Sequence, residues 1–456
     1  MSGLFDSLSS ASRSLTAARL GLDVAGQNLA NVNTEGYSRR QLQLADEAPP
    51  DALSAGRGVT VVGIQALRDR FVGARLRNEK QGSAYDDALL SGLTEVEAAI
   101  GAPGSGLDAK ISAFFNAFST LSNDPTSASA RDNVVIQARQ LTSAFHELST
   151  RFTTAQRNAD TEIAASVTEI NQLASQVAQL NEQIIAGGSD VETLRDRRDV
   201  AVSQLAELAG VAVSTRDDGA VDLSIGNGRP LVIGNASFAV SSAPSGADSF
   251  TAISTGGFDI TGEIAGGKIG GLLRLRDTVV PGYQASLDQL AFDLSSQVNT
   301  LHQTGFDANG NAGGAFFAPL GTATGAAAAI AISAAVDADT QRVAASGSGA
   351  IGDNATARAI ANLRDSRIIN GGTSTAADAW GLIAYRVGAD VSSAKSSSAS
   401  HGDVVAQLQR LRDQTSGVSM DEEAANLMRF QRSYEANARY FTTIVDTLDV
   451  LMGMVR

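Results

Sequence analysis

Two glycine-rich segments of this 456-residue chain have the spacing of nucleotide-binding loops. Residues 262–269 (GEIAGGKI) place glycines and a lysine as a phosphate-binding loop does, but Ile269 stands where a Ser or Thr hydroxyl would bind magnesium. Residues 347–352 (GSGAIG) match a dinucleotide-binding fingerprint, yet the apolar run before them is too short and weak for the required buried strand. We expect no nucleotide site at the first segment, and a glycine-rich turn accounts for the second better than a dinucleotide site does. A nucleotide-dependent enzyme is kept as the alternative from another functional class.

Other residues that could carry chemistry are also incomplete. Asp307, Asn309 and Asn311 begin like a calcium loop, but alanine occupies positions 312 and 318, where the loop needs Gly and Glu. The three histidines lie far apart in sequence, and a lone histidine is more often a capping or core residue than a metal ligand. The chain has no cysteine and no Gly-x-Ser-x-Gly nucleophile elbow. The sequence therefore predicts no enzyme, no cofactor and no metal site.

Composition narrows the possible partners. The formal net charge is -14 and the isoelectric point is about 4.7, which argues against nucleic acid and anionic membrane because both require clustered Lys and Arg. The longest uncharged run, residues 308–336, is broken by Gly and Pro and is rich in Ala, Thr and Ser rather than Leu or Ile. The first residues lack the basic and apolar regions of a cleaved secretory signal. We expect no nucleic-acid partner, no membrane span and no cleaved signal.

Both ends of the chain repeat an apolar residue at alternating spacings of four and three. This spacing places the side chains on one narrow stripe of a helix, as in the seam of a coiled coil. The N-terminal stripe is Leu4, Leu8, Ala11, Leu15, Ala18, Leu22, Ala25 and Leu29. The C-terminal stripe is Met420, Ala424, Leu427, Gln431, Tyr434, Ala438, Phe441, Val445, Leu448, Met452 and Val455.

Such stripes are often only the buried face of a bundle helix. Two features favour contacts between molecules instead. The N-terminal stripe uses Ala at alternate positions, which bury little area, and the C-terminal stripe carries Gln431 in its seam, as seams that specify register and partner number do. A third ladder over residues 163–184 favours an intramolecular bundle, because neighbouring segments supply partner helices.

The remaining pattern predicts the architecture. We expect a first helix that ends near residue 31, an extended segment over 39–62, and a β-rich segment over 211–264, where polar and apolar residues alternate. Further helices are predicted over 68–100, 109–122, 129–208, 271–302, 356–363 and 380–418. The fold class is mainly α with a β-rich insert: an elongated multidomain rod whose N- and C-terminal helices pair in a coiled coil. The predicted domains are 1–36 with 417–456, 37–210 with 268–416, and the insert 211–267.

The terminal segments resemble the bacterial flagellar axial proteins. Residues 28–39 (NLANVNTEGYSR) resemble the N-terminal signature shared by rod, hook and hook-associated proteins, and residues 416–427, followed by 431–439, resemble the matching C-terminal signature. Interior segments resemble the hook-associated protein 1 family in particular; they are 261–277, 281–283, 287–291, 298–305, 352–354 and 377–391. The β-rich insert is small beside those of larger members.

The resemblance implies a structural protein that forms the junction ring between hook and filament and templates filament assembly. A hook or rod subunit of the same axial family is the alternative. The implied partners are other copies in a homo-oligomeric ring, the flagellar hook protein, the second hook-filament junction protein, and an export chaperone at the C-terminal helix. The implied location is the extracellular flagellum, reached through the flagellar type III apparatus, with terminal helices that become ordered on assembly.

The stripes and the turn after the first helix are the candidate assembly interface. We expect the asparagines and the glycine of that turn to meet backbone requirements rather than to make direct contacts. The candidate residues are Leu4, Leu8, Leu15, Leu22, Leu29, Asn28, Asn31, Asn33, Gly36, Tyr37, Leu427, Gln431, Tyr434, Asn437, Ala438, Phe441, Val445 and Leu448.

Overall fold

The computed structural model describes residues 2–47, 58–102, 104–188, 190–246 and 250–454. The chain is mostly helical and divides into two compact units, each assembled from segments distant in sequence. Unit 1 comprises Met1–Gln81, Ile170–Ala239 and His401–Arg456, and unit 2 comprises Gly82–Glu169 and Val240–Ser400.

The helices follow the predicted segments closely. They are α1 (Ser2–Ala30), α2 (Arg70–Ile100), α3 (Leu107–Asn123), α4 (Ala128–Ala186), α5 (Val191–Ala209), α6 (Gly267–Arg274), α7 (Val280–Gln303), α8 (Ala326–Ala329), α9 (Ala334–Ala338), α10 (Ala355–Asn362), α11 (Ala376–Ser416) and α12 (Met420–Met454). The predicted helix over 129–208 is in fact two helices, because Gly187 and Gly188 adopt positive φ angles of 75° and 134°, which a helix cannot contain. Within the described ranges, every helix is too short or too polar to pass through a lipid bilayer.

Among the residues described, the strands form three small antiparallel sheets. The first is a hairpin of β1 (Arg40–Asp46) and β2 (Val59–Ala66), which corresponds to the predicted extended segment 39–62; residues 48–57 of that segment, with its two prolines, lie outside the described ranges. The other two sheets contain β3 (Val211–Thr215), β4 (Val221–Ile225), β5 (Arg229–Ile233) and β6 (Ala236–Ser237), and then β7 (Val240–Ser245), β8 (Phe250–Thr255) and β9 (Phe258–Asp259). The β-rich segment predicted from alternation is therefore confirmed.

The ladder of apolar residues predicted over 163–184 lies in α4 and forms part of the core. Its seven members are all buried: Ile163, Val167, Ile170, Ala174, Val177, Asn181 and Ile184. Asn181 is tolerated there because the backbone of β4 satisfies its side chain: Nδ2 donates to the carbonyl of Val221 at 2.8 Å, and Oδ1 accepts from the Val221 N–H at 3.1 Å. The side chain thus attaches the sheet of β3–β6 to α4 within unit 1.

The core of unit 2 is aromatic. Its rings meet at centroid distances of 4.9–5.8 Å in edge-on and tilted geometries, and they belong to Phe114, Phe115, Phe118, Phe316 and Phe317. His302 lies against Phe316; its Nδ1 bonds the carbonyl of Gly314 at 2.8 Å, and its Nε2 accepts from the Ala344 N–H at 2.9 Å. Burial lowers the pKa of His302. This histidine is a neutral core residue, as a lone histidine is expected to be.

Candidate assembly site at the terminal helices

The first glycine-rich segment leads into the start of α6, and the second forms a turn. Lys268 pairs with Glu162 at 3.0 Å, so its ammonium is engaged by the chain itself. In the second segment, the carboxylate of Asp353 accepts the backbone N–H groups of Gly347 and Ser348, each at 2.8 Å. The hydrogen bond from the Ser348 hydroxyl lowers the pKa of Asp353 most, and those from the backbone N–H groups of Ala355 and Gly347 lower it further. The chain's own carboxylate thus occupies the donors that a phosphate would need.

The first and last helices pack against each other in unit 1. Asn28, near the end of α1, reaches Glu423, near the start of α12, and Gly21 meets the ring of Phe430. The earlier residue of α1 thus contacts the later residue of α12, so the two helices are antiparallel. A Cβ at position 21 would lie 2.5 Å from the Phe430 ring, so only glycine permits this approach without rearrangement.

The buried face of α1, which packs against α12 and the hairpin of β1 and β2, consists of small residues. The buried apolar side chains are Ala11, Ala17, Ala18, Val24 and Ala25. On α12 the buried residues are Glu423 and Ile444, and Phe430 contacts α1 between them. Positions 423, 430 and 444 are multiples of seven apart, which is the spacing of a coiled-coil seam.

The predicted stripes are only partly covered within the chain. The leucines at positions 4, 8, 15, 22 and 29 are half-buried, as are Leu427, Asn437, Ala438, Phe441, Val445 and Leu448. Gln431 and Tyr434 are exposed, as are Met420, Ala424 and Met452, and Val455 lies outside the described residues. The chain therefore leaves one flank of the C-terminal stripe open.

Asn28 joins four parts of unit 1. It is 1% exposed, and its Nδ2 donates to the Arg40 carbonyl at 2.9 Å and to Glu423 Oε2 at 3.2 Å. Its Oδ1 accepts from the Tyr37 hydroxyl at 2.8 Å and from the Arg40 N–H at 2.9 Å. All the hydrogen-bonding capacity of this amide is used. The interpretation of the asparagines as turn residues is therefore wrong for Asn28, whose side chain links α1, the following turn, β1 and α12.

The turn itself contains the other candidate residues. Asn31 Nδ2 donates to the Gln27 carbonyl at 2.9 Å, and Asn31 Oδ1 accepts from the Thr34 hydroxyl at 3.2 Å, so Asn31 closes the helix end as a turn residue does. Asn33 is exposed. Gly36 has φ of 80°, a backbone conformation that glycine adopts far more readily than other residues.

Arg39 ties this turn to the C-terminal helices. Its backbone N–H donates to the Ser416 carbonyl at 2.9 Å, and its Nε donates to Glu423 Oε1 at 2.8 Å. A third bond of 2.7 Å runs to Glu422. The side chain of Glu423 is 2% exposed and that of Glu422 is 62% exposed, so the bond to Glu423 is the one shielded from water.

Arg40 continues the network to α5. The side chain of Arg40 is 2% exposed and bonds Asp196 at 2.7 Å, and Arg68 bonds the other oxygen of Asp196 at 2.7 Å. Arg68 also pairs with Glu192 at 2.6 Å. Shared, bidentate ion pairs of this kind hold their partners in one geometry. We call this network the signature clasp, defined as Asn28, Tyr37, Arg39, Arg40, Arg68, Asp196 and Glu423.

Tyr37 serves the clasp as a neutral donor. Burial raises the pKa of its phenol, and the carboxylates of Asp196 and Glu423 raise it further, although the guanidinium of Arg40, 4.8 Å from the ring centroid, opposes them. The hydroxyl therefore keeps its proton and donates to Asn28 across the neutral pH range.

Sequence patterns missed much of this clasp. Glu423 and Arg40 adjoin or lie within the two signatures, and a charged residue at a seam position was the available signal. Asp196 and Arg68 lie outside both signatures, in helical and loop segments whose local pattern carries no trace of a partner more than a hundred residues away.

Gly36 offers a direct test of how tightly the turn packs. A Cβ at this position would lie 2.2 Å from Cγ2 of Val200 on α5. We expect Gly36→Ala to destabilise unit 1 by about 2 kcal/mol or more, from the clash and from the positive φ together. Val200→Ala in the same chain should recover part of the loss, since only the backbone strain would remain.

The measurement is urea unfolding combined with amide exchange over residues 31–40. Gly26→Ala is the control: it lies within α1, no atom of another residue lies within 4 Å of the point that the added methyl would occupy, and alanine favours a helix, so stability should stay equal or rise. Unchanged stability of Gly36→Ala would show that the turn is loosely held.

Comparison with known proteins supports one family. Residues 93–317 match the flagellar hook-associated protein FlgK helical domain, residues 412–454 match the flagellar basal body rod FlgEFG protein C-terminal family, and residues 8–37 match the flagella basal body rod protein family. The two terminal matches cover most of α1 and α12 and part of the clasp.

Relatives match along the whole chain. Flagellar hook-associated protein 1 of Escherichia coli K12 is 27% identical over 98% of this chain and 99% of its own length, and that of Bacillus subtilis 168 is 28% identical over 100% and 99%. The flagellar hook junction protein FlgK from Burkholderia pseudomallei has a similar fold: the TM-score is 0.68 at 19% identity, over 75% of this chain and 100% of that structure. The chain thus has homologues named flagellar hook-associated protein 1 over nearly its whole length, matches the FlgK helical domain and shares the fold of a FlgK structure.

Proposed function

We propose that this protein is a structural adaptor of the bacterial flagellum, in which a ring of copies forms the junction between hook and filament and templates filament assembly. The relatives named flagellar hook-associated protein 1, matched from end to end, support an axial structural role. A flagellar family also matches each terminal helix separately. The hook or rod subunit is the second candidate, since those terminal families are shared with rod proteins.

The open flank of the C-terminal stripe carries the proposal. Gln431, Tyr434 and Met452 are exposed on a helix whose other face is already packed against α1. Apolar and aromatic side chains gain burial when neighbouring subunits supply facing helices, at about 25 cal/mol per Å² of apolar surface. We propose residues 1–36 with 417–456 as the assembly domain, 37–210 with 268–416 as the middle domain, and 211–267 as the outer insert.

The signature clasp gives the assembly domain its rigidity. It fixes the end of α1, the start of α12 and the start of β1 through the buried Asn28 and Glu423. A neighbouring subunit would then meet a preformed surface rather than two loose helices, which lowers the entropic cost of association. We propose that the outer parts of both helices become fully ordered only on assembly.

The proposed partners follow from this role. Below the ring lies the flagellar hook protein and above it the second hook-filament junction protein. Before assembly, an export chaperone covers α12, whose exposed Met428, Tyr440 and Val450 require shielding from water. We propose export through the flagellar type III apparatus to the extracellular flagellum.

A deletion strain separates the two candidate functions. We expect cells that lack this protein to build hooks of normal length but no filaments, and to release filament monomer into the medium, because nothing then seats the filament. Electron microscopy of the cell surface and immunoblotting of the medium measure both results, and complementation with the wild-type gene is the control. Loss of the hooks themselves would instead identify a hook or rod subunit.

A further inference from the structure

A cleft in unit 1 has the opposite charge to the chain as a whole. Acidic residues outnumber Lys and Arg by 49 to 35 in the sequence, yet this cleft is lined by six arginines and three aspartates. Its walls are the start of α2, the middle of α5 and the strands β3 and β4. We call it the arginine cleft, defined by Arg68, Arg70, Arg77, Arg195, Arg198 and Arg216.

Three of these six arginines already form ion pairs with acidic residues of the chain. Arg68 and Arg195 both bond Glu192, at 2.6 and 2.5 Å. Arg216 lies 3.2 Å from Asp218. These three side chains are held by acidic neighbours and shape the cleft without offering it a free charge.

The other half have unused donors. Arg70 and Arg77 make no hydrogen bond or salt bridge with any residue that the structure describes. Arg198 is 6% exposed, and its Nε–H is buried with no acceptor among the described residues. Burial lowers the pKa of Arg77 more than the nearby Asp199 raises it. A buried guanidinium with an unmatched donor is costly, which applies to Arg198. Arg70 is exposed and Arg77 is half-buried, so their unused donors are accessible to a carboxylate, which fits the planar fork of a guanidinium.

An exposed aromatic residue, Phe71, directly follows Arg70 of the cleft in the sequence. Phe71 is 88% exposed and lies at the start of α2. Asp69, which also lines the cleft, is occupied as the cap of this helix: its Oδ1 accepts the N–H groups of Phe71 and Val72 at 2.9 and 3.0 Å. Exposed aromatic residues and arginines are both enriched at protein interfaces. A ligand that suits both the arginines and Phe71 therefore carries carboxylates and apolar side chains.

One segment of the same chain has this chemistry. Residues 440–454, the last turns of α12, contain Asp446 and Asp449 but no Lys, Arg or His. Val450, Met452 and Met454 in these turns are each more than 60% exposed. Carboxylates and uncovered apolar side chains thus occur together on one helix end.

The two surfaces cannot meet within one molecule. The arginine cleft adjoins the clasp, where Arg39 bonds Glu423, whereas Asp446 lies 23 residues further along α12. At 1.5 Å per residue the separation is about 35 Å. Complementary patches that lie this far apart along one helix pair between copies, head to tail, and such heterologous contacts build rings or stacks.

We propose that the arginine cleft binds the acidic, apolar C-terminal turns of α12 from a second copy of this chain. The inference rests on the proposed assembly into a ring and names one contact within it. Arg70 and Arg77 bind the carboxylates of Asp446 and Asp449, and Phe71 packs against the exposed methionines. Arg68 belongs to both the cleft and the clasp, but the contact uses Arg70 and Arg77, so the bonds of Arg68 to Asp196 and Glu192 stay formed in both copies.

Fluorescence anisotropy with a labelled synthetic peptide of residues 436–456, titrated with the purified full-length chain, tests the contact. We expect saturable binding that weakens as salt is raised, because the attraction is between charges. Arg77→Gln should weaken binding roughly tenfold, as expected when one member of a close charge pair at an interface is removed. Arg75→Gln is the matched control: Arg75 is exposed on the same helix, outside the cleft, and its loss should leave binding unchanged.

A charge exchange keeps the test independent of folding effects. A peptide with Asp446→Arg and Asp449→Arg should not bind the parent chain, but should bind the variant that carries Arg70→Asp and Arg77→Asp. Equal binding of the parent peptide to Arg77→Gln and to the parent chain, or failure of the exchanged pair to bind, would overturn the proposal. The peptide assay needs only purified chain, so either result leaves the deletion-strain outcome, and the junction function it tests, unaffected.

Discussion

Cells that carry Leu22→Asp together with Phe441→Asp should produce the protein but assemble no filaments. Both residues are stripe members and are half-buried in the isolated chain. In the assembled ring, neighbouring helices would bury the new carboxylates, and an unpaired charge that loses water costs several kcal/mol. The cost would recur in every subunit of the proposed ring, so the expected effect is complete loss of swimming rather than a partial defect.

Unit 2 should remain folded in this variant. Its core is built from residues of 82–169 and 240–400, including the aromatic cluster around Phe114, and neither substitution touches it. Swimming in soft agar and electron microscopy measure assembly, and circular dichroism with thermal unfolding measures the fold. The control variant is Thr16→Asp with Thr442→Asp, which places two carboxylates at exposed positions of the same helices. Collapse of the stability of the isolated Leu22/Phe441 variant would show that the stripes are internal core instead of assembly surface.

Removal of the Glu423 carboxylate should open the pairing of α1 with α12. Glu423→Ala leaves the buried Nδ2 of Asn28 with one partner fewer and removes the shielded bonds of Arg39. Because Arg39 retains some access to water, we expect a loss of about 2–3 kcal/mol, near the lower limit for breaking a buried ion pair from one side.

Glu422→Ala provides a matched control one residue away. Its carboxylate also bonds Arg39, at 2.7 Å, but its side chain is 62% exposed, so its loss should cost about 0–1 kcal/mol. Amide exchange followed by mass spectrometry reports protection along α1 and α12 separately from unit 2. Protection should fall about tenfold or more in Glu423→Ala and hardly change in Glu422→Ala. Similar small effects of both substitutions would show that the clasp does not hold the helices together.

Local patterns in the sequence were sufficient for most of the architecture. The bounds of α1, α2, α3 and α10 and the strands over 211–259 agree with the predicted segments within a few residues. The buried ladder of α4 was also predicted, because its 4-3 spacing places seven side chains on one face of a helix. The break at Gly187 and Gly188 was missed, since glycine within a helical pattern does not by itself show that φ turns positive.

The candidate site also contains residues whose roles follow from local patterns and residues whose roles do not. Gly36 was identified as a backbone requirement, and the structure gives it positive φ; Asn28 was assigned the same role and proves to be a buried side-chain bridge. The role of Gly36 could be predicted because the conformation of a turn depends on the few residues within it. The bonds of Asn28 depend on Glu423, a residue 395 positions away in the chain.

The sequence by itself determined the kinds of elements, their approximate bounds and the two terminal stripes, because periodicity and turn residues act over a few positions. Only the tertiary structure decided which flank of α12 faces α1 and which stays open, and that Arg40 and Arg68 share Asp196. It also decided that Arg70 and Arg77 would face a cleft without partners among the residues described. The physical reason is that these outcomes depend on contacts between residues far apart in the chain, and no local pattern records where such residues meet.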